Sequence, residues 1–289
     1  MYVVTGATGN TGKIVAERLL EAGKRVRAIV RSREKAAALA ERGAEIVVAD
    51  LHDERLMADA VSGAQGVYLL SPPDQRAADF IADRKRLSET LARVLERASV
   101  PHVVLLSSIA AQHAQGTGPI ITAYNAEQAL KSAGVTSTFL RAGYFIENWA
   151  SVLPVAKQDG VLPAFFPLDK QVWMIDTRDI GEVAAKVLLA GPPKQRTHTI
   201  ELSGPVPVSP SDVAATLSRV LGRVVHPVHV PLEQVVPQLT SVGISPQFAA
   251  LMHALNDAIT HGDRITWEGQ GERVLAKTTL EDSLRALVG

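Results

Sequence analysis

Hydrophobic and polar positions follow two alternating periods along the first half of the chain. Apolar runs at Tyr2 to Thr5, Arg25 to Val30 and Glu45 to Ala49 are each followed by helical spacing, from about Gly12 to Ala22, Glu34 to Arg42 and Arg55 to Val61. That is a repeated β-α pattern. The next runs, Gly66 to Leu70 and His102 to Ser107, are continuously apolar. Strands read that way when helices cover both faces, so the predicted sheet is parallel. Gly23, Gly43 and Gly134 fall just past periodic segments, where a left-handed residue closing a helix is least costly as glycine.

Proline marks a change near residue 150: four of the 16 precede it and twelve follow it. Beyond that point Lys170 to Ile175 reads as a short strand, Arg178 to Leu189 as a helix, and Thr197 to Leu202 as a strand able to rejoin the main sheet. Val206-Ser209 to Leu221, Leu232 to Leu239 and Pro246 to His261 suggest a helical lobe, closed by a terminal helix from Leu280 to Leu287. The expected division is a doubly wound α/β unit over 1-150, to which 175-202 returns, and a smaller, mainly helical lobe over 151-289.

The 289 residues suffice for one large domain or two modest ones. Thirty basic against 30 acidic residues give zero formal charge and a pI near 7.1, which leaves nothing to attract nucleic acid or an anionic membrane over distance. Cysteine is absent, removing disulfides, thiolate metal sites and Cys nucleophiles together. No run of about 18 apolar residues occurs, and Met1-Tyr-Val-Val-Thr enters a strand with no basic leader, so the expectation is a cytoplasmic protein.

The strongest chemical signal is Val3-Val4-Thr5-Gly6-Ala7-Thr8-Gly9-Asn10-Thr11-Gly12-Lys13, a buried strand running through three glycines into an amphipathic helix. Gly6 permits the turn off the strand, Gly9 lets backbone approach a pyrophosphate, and Gly12 lets the helix pack closely. Thr8 lies in the same turn, and the N–H groups of Asn10, Thr11 and Gly12 would face the phosphates. The spacing is G-x-x-G-x-x-G rather than G-x-G-x-x-G. After the second strand, where NAD-binding chains carry an acid, stand Arg31-Ser32-Arg33-Glu34-Lys35. A guanidinium there takes a 2′-phosphate, so Arg31 with Ser32 or Lys35 points to NADP(H) over NAD(H). Asp50-Leu51 follows the third strand, where a side chain can meet the adenine amine, while Asp53 reads as a helix cap.

Together with Ser71-Pro72-Pro73, Leu140-Arg-Ala-Gly-Tyr-Phe-Ile-Glu-Asn148, Asn125 to Gly134, Asp176 to Ile180 and Asn256 to Gly262, these segments resemble the NmrA-like branch of the atypical short-chain dehydrogenase/reductases over nearly the whole chain. Within that branch the chain is similar to bacterial NAD(P)H-dependent quinone reductases and triphenylmethane-dye reductases. The resemblance implies a Rossmann-type doubly wound parallel sheet with a small C-terminal substrate lobe and the nicotinamide in the cleft between them. It implies cofactor contacts from Ser71, Pro72 and Ser107 besides those above. It leaves the oligomeric state open, a homodimer included.

The wider superfamily uses a Ser-Tyr-Lys set in which Tyr donates a proton and Lys lowers its pKa. Here Ser107 and Ser108 end the fifth strand, but the serine position of extended members falls on Ile109. Tyr124 has Gln at 128 where Lys is expected; aligning on Glu127 and Leu130 puts Ala123 there instead. Without the lysine, alcohol dehydrogenation and sugar epimerisation are poor expectations. A conjugated acceptor such as a quinone or cationic dye takes hydride without that tyrosine. The catalytic group is therefore unassigned, Tyr124 and His113 being the candidates. Tyr144, Phe145 and Asn148 follow a strand end and are expected to shape the substrate side of the cleft. The competing expectation is a regulator that binds NADP(H) and signals to a protein partner without turnover. His226 and His229 face opposite sides of a strand with no third ligand, so no metal site is expected. Asp176 and Asp179 read as caps.

Overall fold

The computed structural model describes residues 1–289. In chain order its elements are β1 (Tyr2–Thr5), α1 (Asn10–Glu21), β2 (Val26–Val30), α2 (Ala37–Glu41), β3 (Glu45–Val48), α3 (Glu54–Val61), β4 (Gly66–Leu69), α4 (Phe80–Arg97), β5 (Val103–Ser108), α5 (Ile121–Ser132), β6 (Ser137–Ala142) and β7 (Tyr144–Phe145). There follow α6 (Leu153–Asp159), β8 (Val161–Ala164), β9 (Val172–Ile175), α7 (Thr177–Ala190), β10 (Thr197–Ser203), β11 (Pro207–Val208) and α8 (Pro210–Leu221). The chain closes with β12 (His226–His229), α9 (Val235–Ser241), α10 (Pro246–His261), β13 (Glu272–Leu275) and α11 (Leu280–Val288).

Eight strands form one parallel sheet in the order β13-β10-β6-β5-β4-β1-β2-β3. Strand alternation divides its side chains between two cores. Val4, Ala28, Tyr68, Val104 and Leu140 pack with Val15, Leu19, Ile180 and Ala184 of α1 and α7. Val3, Ile29, Leu69, Leu105 and Phe139 face Met57, Leu87, Leu91 and Leu130 of α3, α4 and α5. Both faces are thus apolar, which is why these strands read as unbroken hydrophobic runs. The contact between α1 and α7 requires Gly181, where a Cβ would lie 2.5 Å from that of Ile14.

A third core, with Ile146, Trp149, Phe166, Met174, Leu217 and Ile259, sits in the C-terminal lobe. Small sheets β11-β9-β7 and β12-β8 frame it. The lobe docks on the loop after β4, where Ser245 N–H donates to the Gln75 carbonyl (3.0 Å) and Phe80 meets Phe248 edge to face at 4.9 Å. Strand β10 joins β6 in the main sheet, and β13 adds to β10 at its edge, although the sequence pattern reads the tail as mainly helical. The miss has a plain cause: Glu-Arg-Val-Leu on an edge is mostly exposed and carries no apolar period. Helix α1 starts at Asn10, two residues before the expected start, because its first residues are chosen for the turn rather than for apolar spacing. Gly23, Gly43 and Gly134 have φ of +69°, +90° and +69°. No helix is long and apolar enough to cross a membrane.

Candidate functional site

Strand order reverses at β1, with β2 and β3 on one side and β4, β5 and β6 on the other. The crevice at such a switch point opens beyond the carboxyl ends of the strands, and the loops there are the natural ligand contacts. The glycine turn, Arg31-Ser32, Asp50-Leu51, Ser71-Pro72 and Tyr144-Phe145 each follow a strand at this edge.

The glycine turn is built around the Gly6 carbonyl. Gly6 has φ +60°, and Gly9 N–H donates to its carbonyl at 2.9 Å. A Cβ on Gly12 would lie 2.3 Å from that oxygen, so only glycine lets α1 pass so close to the strand. Below, Thr5 Oγ1 accepts from Leu70 N–H at 2.8 Å, and Tyr68 Oη donates to Thr11 Oγ1 at 2.9 Å. The Thr11 side chain is therefore buried as a strut, leaving its backbone N–H for any ligand; burial raises the Tyr68 hydroxyl above its ordinary pKa. Helices α3, α4, α7, α8, α10 and α11 are capped by Asp53, Asp79, Asp176, Ser209, Ser245 and Thr279. Helix α1 begins on Gly9 with no side-chain cap and no acid in its first turn, and the N–H groups of Asn10, Thr11 and Gly12 have no acceptor in the chain. Three free donors at a helix N-terminus suit a pyrophosphate. Thr8 and Asn10 are exposed at the rim.

Arg31 and Lys35 are exposed and make no ion pair, and Ser32 is half-buried beside them. Arg33 instead donates to the Ile46 carbonyl at 3.2 Å. Asp50 is exposed, with Oδ1 accepting from His52 N–H at 2.9 Å, and Leu51 is half-buried. Ser71 and Pro72 are held by Arg84, which the sequence reading missed. Arg84 is 7 % exposed; its Nη1 reaches the Pro72 carbonyl at 2.8 Å and Ser71 Oγ at 3.5 Å, its Nη2 reaches His52 Nε2 at 3.0 Å, and Nε pairs with Asp83 at 2.9 Å. One guanidinium thus clamps the loops after β3 and β4. The signal was available: Phe80, Arg84, Leu87, Ser88 and Leu91 share one helical face.

Ser107 is 4 % exposed, and its hydroxyl donates to Glu127 Oε1 at 2.6 Å. Glu127, fully buried on α5, also accepts from Arg141 Nε at 2.9 Å and Nη2 at 2.7 Å. The Ser107 side chain thus closes a buried ion pair between β5, β6 and α5 rather than facing the cleft. Tyr124 lines a surface groove between α4 and α5 with Lys85, Glu89, Arg93 and Gln128. Its ring occupies the flank of two helices because residues 126, 127 and 130 take the inward face of α5.

Tyr144 is half-buried among Trp149 (6.5 Å) and Phe166 (6.0 Å), and burial pushes its hydroxyl up to about 12. Phe145 is half-buried against the core of α1 and α7, and Asn148 is exposed. Glu147 fastens this segment to α7 by accepting from Thr177 N–H at 2.8 Å, and burial raises its carboxyl. Asp176 caps α7 through Arg178 N–H at 2.8 Å. Asp179 instead accepts from Thr278 Oγ1 at 2.9 Å. His113, half-buried, lies in the loop after β5, with Nε2 3.3 Å from Gln112 Nε2. His226 and His229 are exposed on β12.

A doubly wound sheet with a glycine-turn anion cradle and an appended lobe defines the class, a dinucleotide-binding α/β protein with a second lobe over its strand ends. The chain belongs to the NmrA-like family, whose model matches residues 2–282. It is 30 % identical over 258 residues to an NAD(P)H azoreductase of Xenophilus azovorans, covering 88 % of this chain and 86 % of that one. It is 27 % identical over 257 residues to quinone oxidoreductase 2 of Escherichia coli, covering 87 % and 85 %. Its fold matches the crystal structure of Citrobacter sp. triphenylmethane reductase complexed with NADP(H), with a TM-score of 0.80 and 22 % identity over 99 % of this chain and 100 % of that one.

Proposed function

We propose that this chain is an NADPH-dependent reductase that passes hydride to a quinone or similarly electron-poor aromatic acceptor. The observation that carries the reading is the sheet edge itself: three unpartnered N–H groups over a glycine cradle, with an unpaired Arg31 beside them. The donors fit a pyrophosphate, and the free guanidinium fits a 2′-phosphate. The relatives named as NAD(P)H-dependent azo and quinone reductases support the same reaction class.

The bound nicotinamide supplies the hydride. The chain's own residues bind, orient and exclude water. Asn10, Thr11 and Gly12 fix the phosphates, Arg84 holds the adenosine-side loops in place, and Tyr144, Phe145 and Asn148 shape the acceptor side. With Gln128 where a lysine would activate Tyr124, and Tyr124 on a helix flank, the arrangement favours acceptors that delocalise incoming charge over simple carbonyls.

The test is NADPH consumption against quinones, azo dyes, cationic dyes and simple aldehydes. Turnover confined to the conjugated acceptors is expected. Equal turnover of aldehydes would restore a protein acid, and tight NADPH binding with no consumption across the panel would favour the sensing regulator.

A further inference from the structure

The loop from Ile109 to Gly118 is held from both sides. Ile109 N–H donates to the Ala142 carbonyl at 2.8 Å, continuing the sheet edge. At the other end a Cβ on Gly118 would lie 2.3 Å from the Leu251 carbonyl of α10, so the loop presses against the lobe. Arg264 Nη1 adds a bond to the Gln115 carbonyl at 3.1 Å. Ala110, fully buried, has φ +66°, a costly conformation for a residue with a Cβ and one that persists only when its surroundings impose it. His113 therefore stands on a fixed wall between strand ends and lobe.

The neighbours of Gln112 decide which hydrogen His113 carries. The Thr266 carbonyl lies 3.1 Å from Gln112 Nε2 and can only accept, while Arg141 Nη1 lies 3.5 Å from Gln112 Oε1 and can only donate. Both contacts orient the amide the same way, with its NH2 toward Thr266. That same NH2 faces His113 Nε2 at 3.3 Å, so Nε2 must accept. The neutral ring then carries its hydrogen on Nδ1, since the only hydrogen bond the ring makes within the chain is the one from Gln112 to Nε2.

We infer that His113 is a hydrogen-bond donor, through Nδ1–H, to the oxygen or nitrogen of the acceptor, set in that tautomer by Gln112. This deepens the reductase reading and rests on it. No proton leaves the ring. Hydride brings two electrons and one hydrogen to a quinone, the hydroquinone anion so formed accepts the Nδ1–H bond, and water supplies the second proton. A cationic triarylmethyl dye takes hydride at carbon, ends neutral and needs no such bond, so His113 selects for acceptors with a lone pair where charge develops.

The experiment has two arms on the intact protein. Nitrogen-15 NMR of wild type should show His113 Nδ1 protonated and Nε2 bare, and Gln112→Glu, whose carboxylate can only accept, should reverse the pattern. In turnover, His113→Phe and Gln112→Glu should each lower kcat/KM for a quinone by about tenfold or more, the effect of one hydrogen bond to a charged oxygen, with little change for the dye. An Nε2–H tautomer in wild type, or equal losses for quinone and dye in a variant that melts like wild type, overturns the inference. A wild type that consumes NADPH with neither acceptor overturns the reductase reading instead.

Discussion

Gly9→Ala separates binding from folding at the glycine turn. The new Cβ would sit 3.3 Å from the Gly6 carbonyl oxygen, a tight contact that a shift of a few tenths of an ångström relieves. The backbone there, at φ −90° and ψ 175°, is open to any residue. The fold should lose no more than about 1 kcal/mol. The same methyl stands at the N-cap over the three free N–H groups, where a pyrophosphate must approach. Loss of one charge-assisted hydrogen bond costs about 1.5 to 3 kcal/mol. That is roughly a 10- to 150-fold rise in Kd. Gly12→Ala is the contrast. Its Cβ would lie 2.3 Å from the Gly6 oxygen and 2.7 Å from its carbon, backbone atoms that cannot rotate aside, so α1 must move off the strand. Overpacking of that kind costs about 1 to 3 kcal/mol. At about 2 to 4 °C per kcal/mol, the melting temperature should fall by several degrees. Titration calorimetry with NADPH beside thermal melts reads both effects. Wild-type affinity in Gly9→Ala, or a melt as low as that of Gly12→Ala, would refute the division of labour.

Arg31→Ala should weaken NADPH by about 1 to 3 kcal/mol and NADH much less, without a change in melting, since Arg31 has no partner in the chain; paired titrations check it, and equal losses would reassign the residue to adenine stacking. Tyr124→Phe should keep most activity in single-turnover hydride transfer; a hundredfold loss in a stable variant would place about 2.7 kcal/mol in that hydroxyl and return carbonyl reduction. Glu127→Ala should destabilise by about 3 kcal/mol in denaturant melts, because it leaves the buried Arg141 with only the partly exposed Glu268 as a charged partner and leaves Ser107 without its acceptor. His102, buried with Nε2 on Thr138, is lowered to about 4 by burial, so the native state resists the proton that the unfolded chain takes up near pH 6.5. Its penalty is absent above pH 6.5 and grows as pH falls toward 4, at 1.36 kcal/mol per pH unit, to about 3 kcal/mol; His102→Gln should flatten that part of a stability-against-pH curve.

The parallel sheet was legible because each strand buries both faces, so Val3-Val4, Ala28-Ile29 and Val104-Leu105 advertise themselves without reference to tertiary context. The glycine turn was legible for a different reason, its conformational demand written into three residues. What escaped depends on partners distant in sequence. Arg84 sits in Asp83-Arg84-Lys85-Arg86, which resembles a solvated charge run until the apolar face of α4 is traced through it. Ser107 looked free at a strand end, yet Glu127 lies twenty residues on, and the buried charge of Arg141 inside an apolar strand was the clue to it. Strand β13 has no apolar period at all and exists because β10 offers an open edge.

If the sheet edge holds NADPH and hands its hydride to a conjugated acceptor, the transferred hydrogen must appear in the product. NADPH carrying deuterium on the transferable position of the nicotinamide is mixed with the protein and a cationic triarylmethyl dye, whose product keeps the transferred hydrogen on carbon. One deuterium per reduced dye is expected, with a primary isotope effect in single turnover and loss of the signal in Gly9→Ala at limiting NADPH. Bound NADPH that survives intact, with no deuterium in the dye, would contradict it.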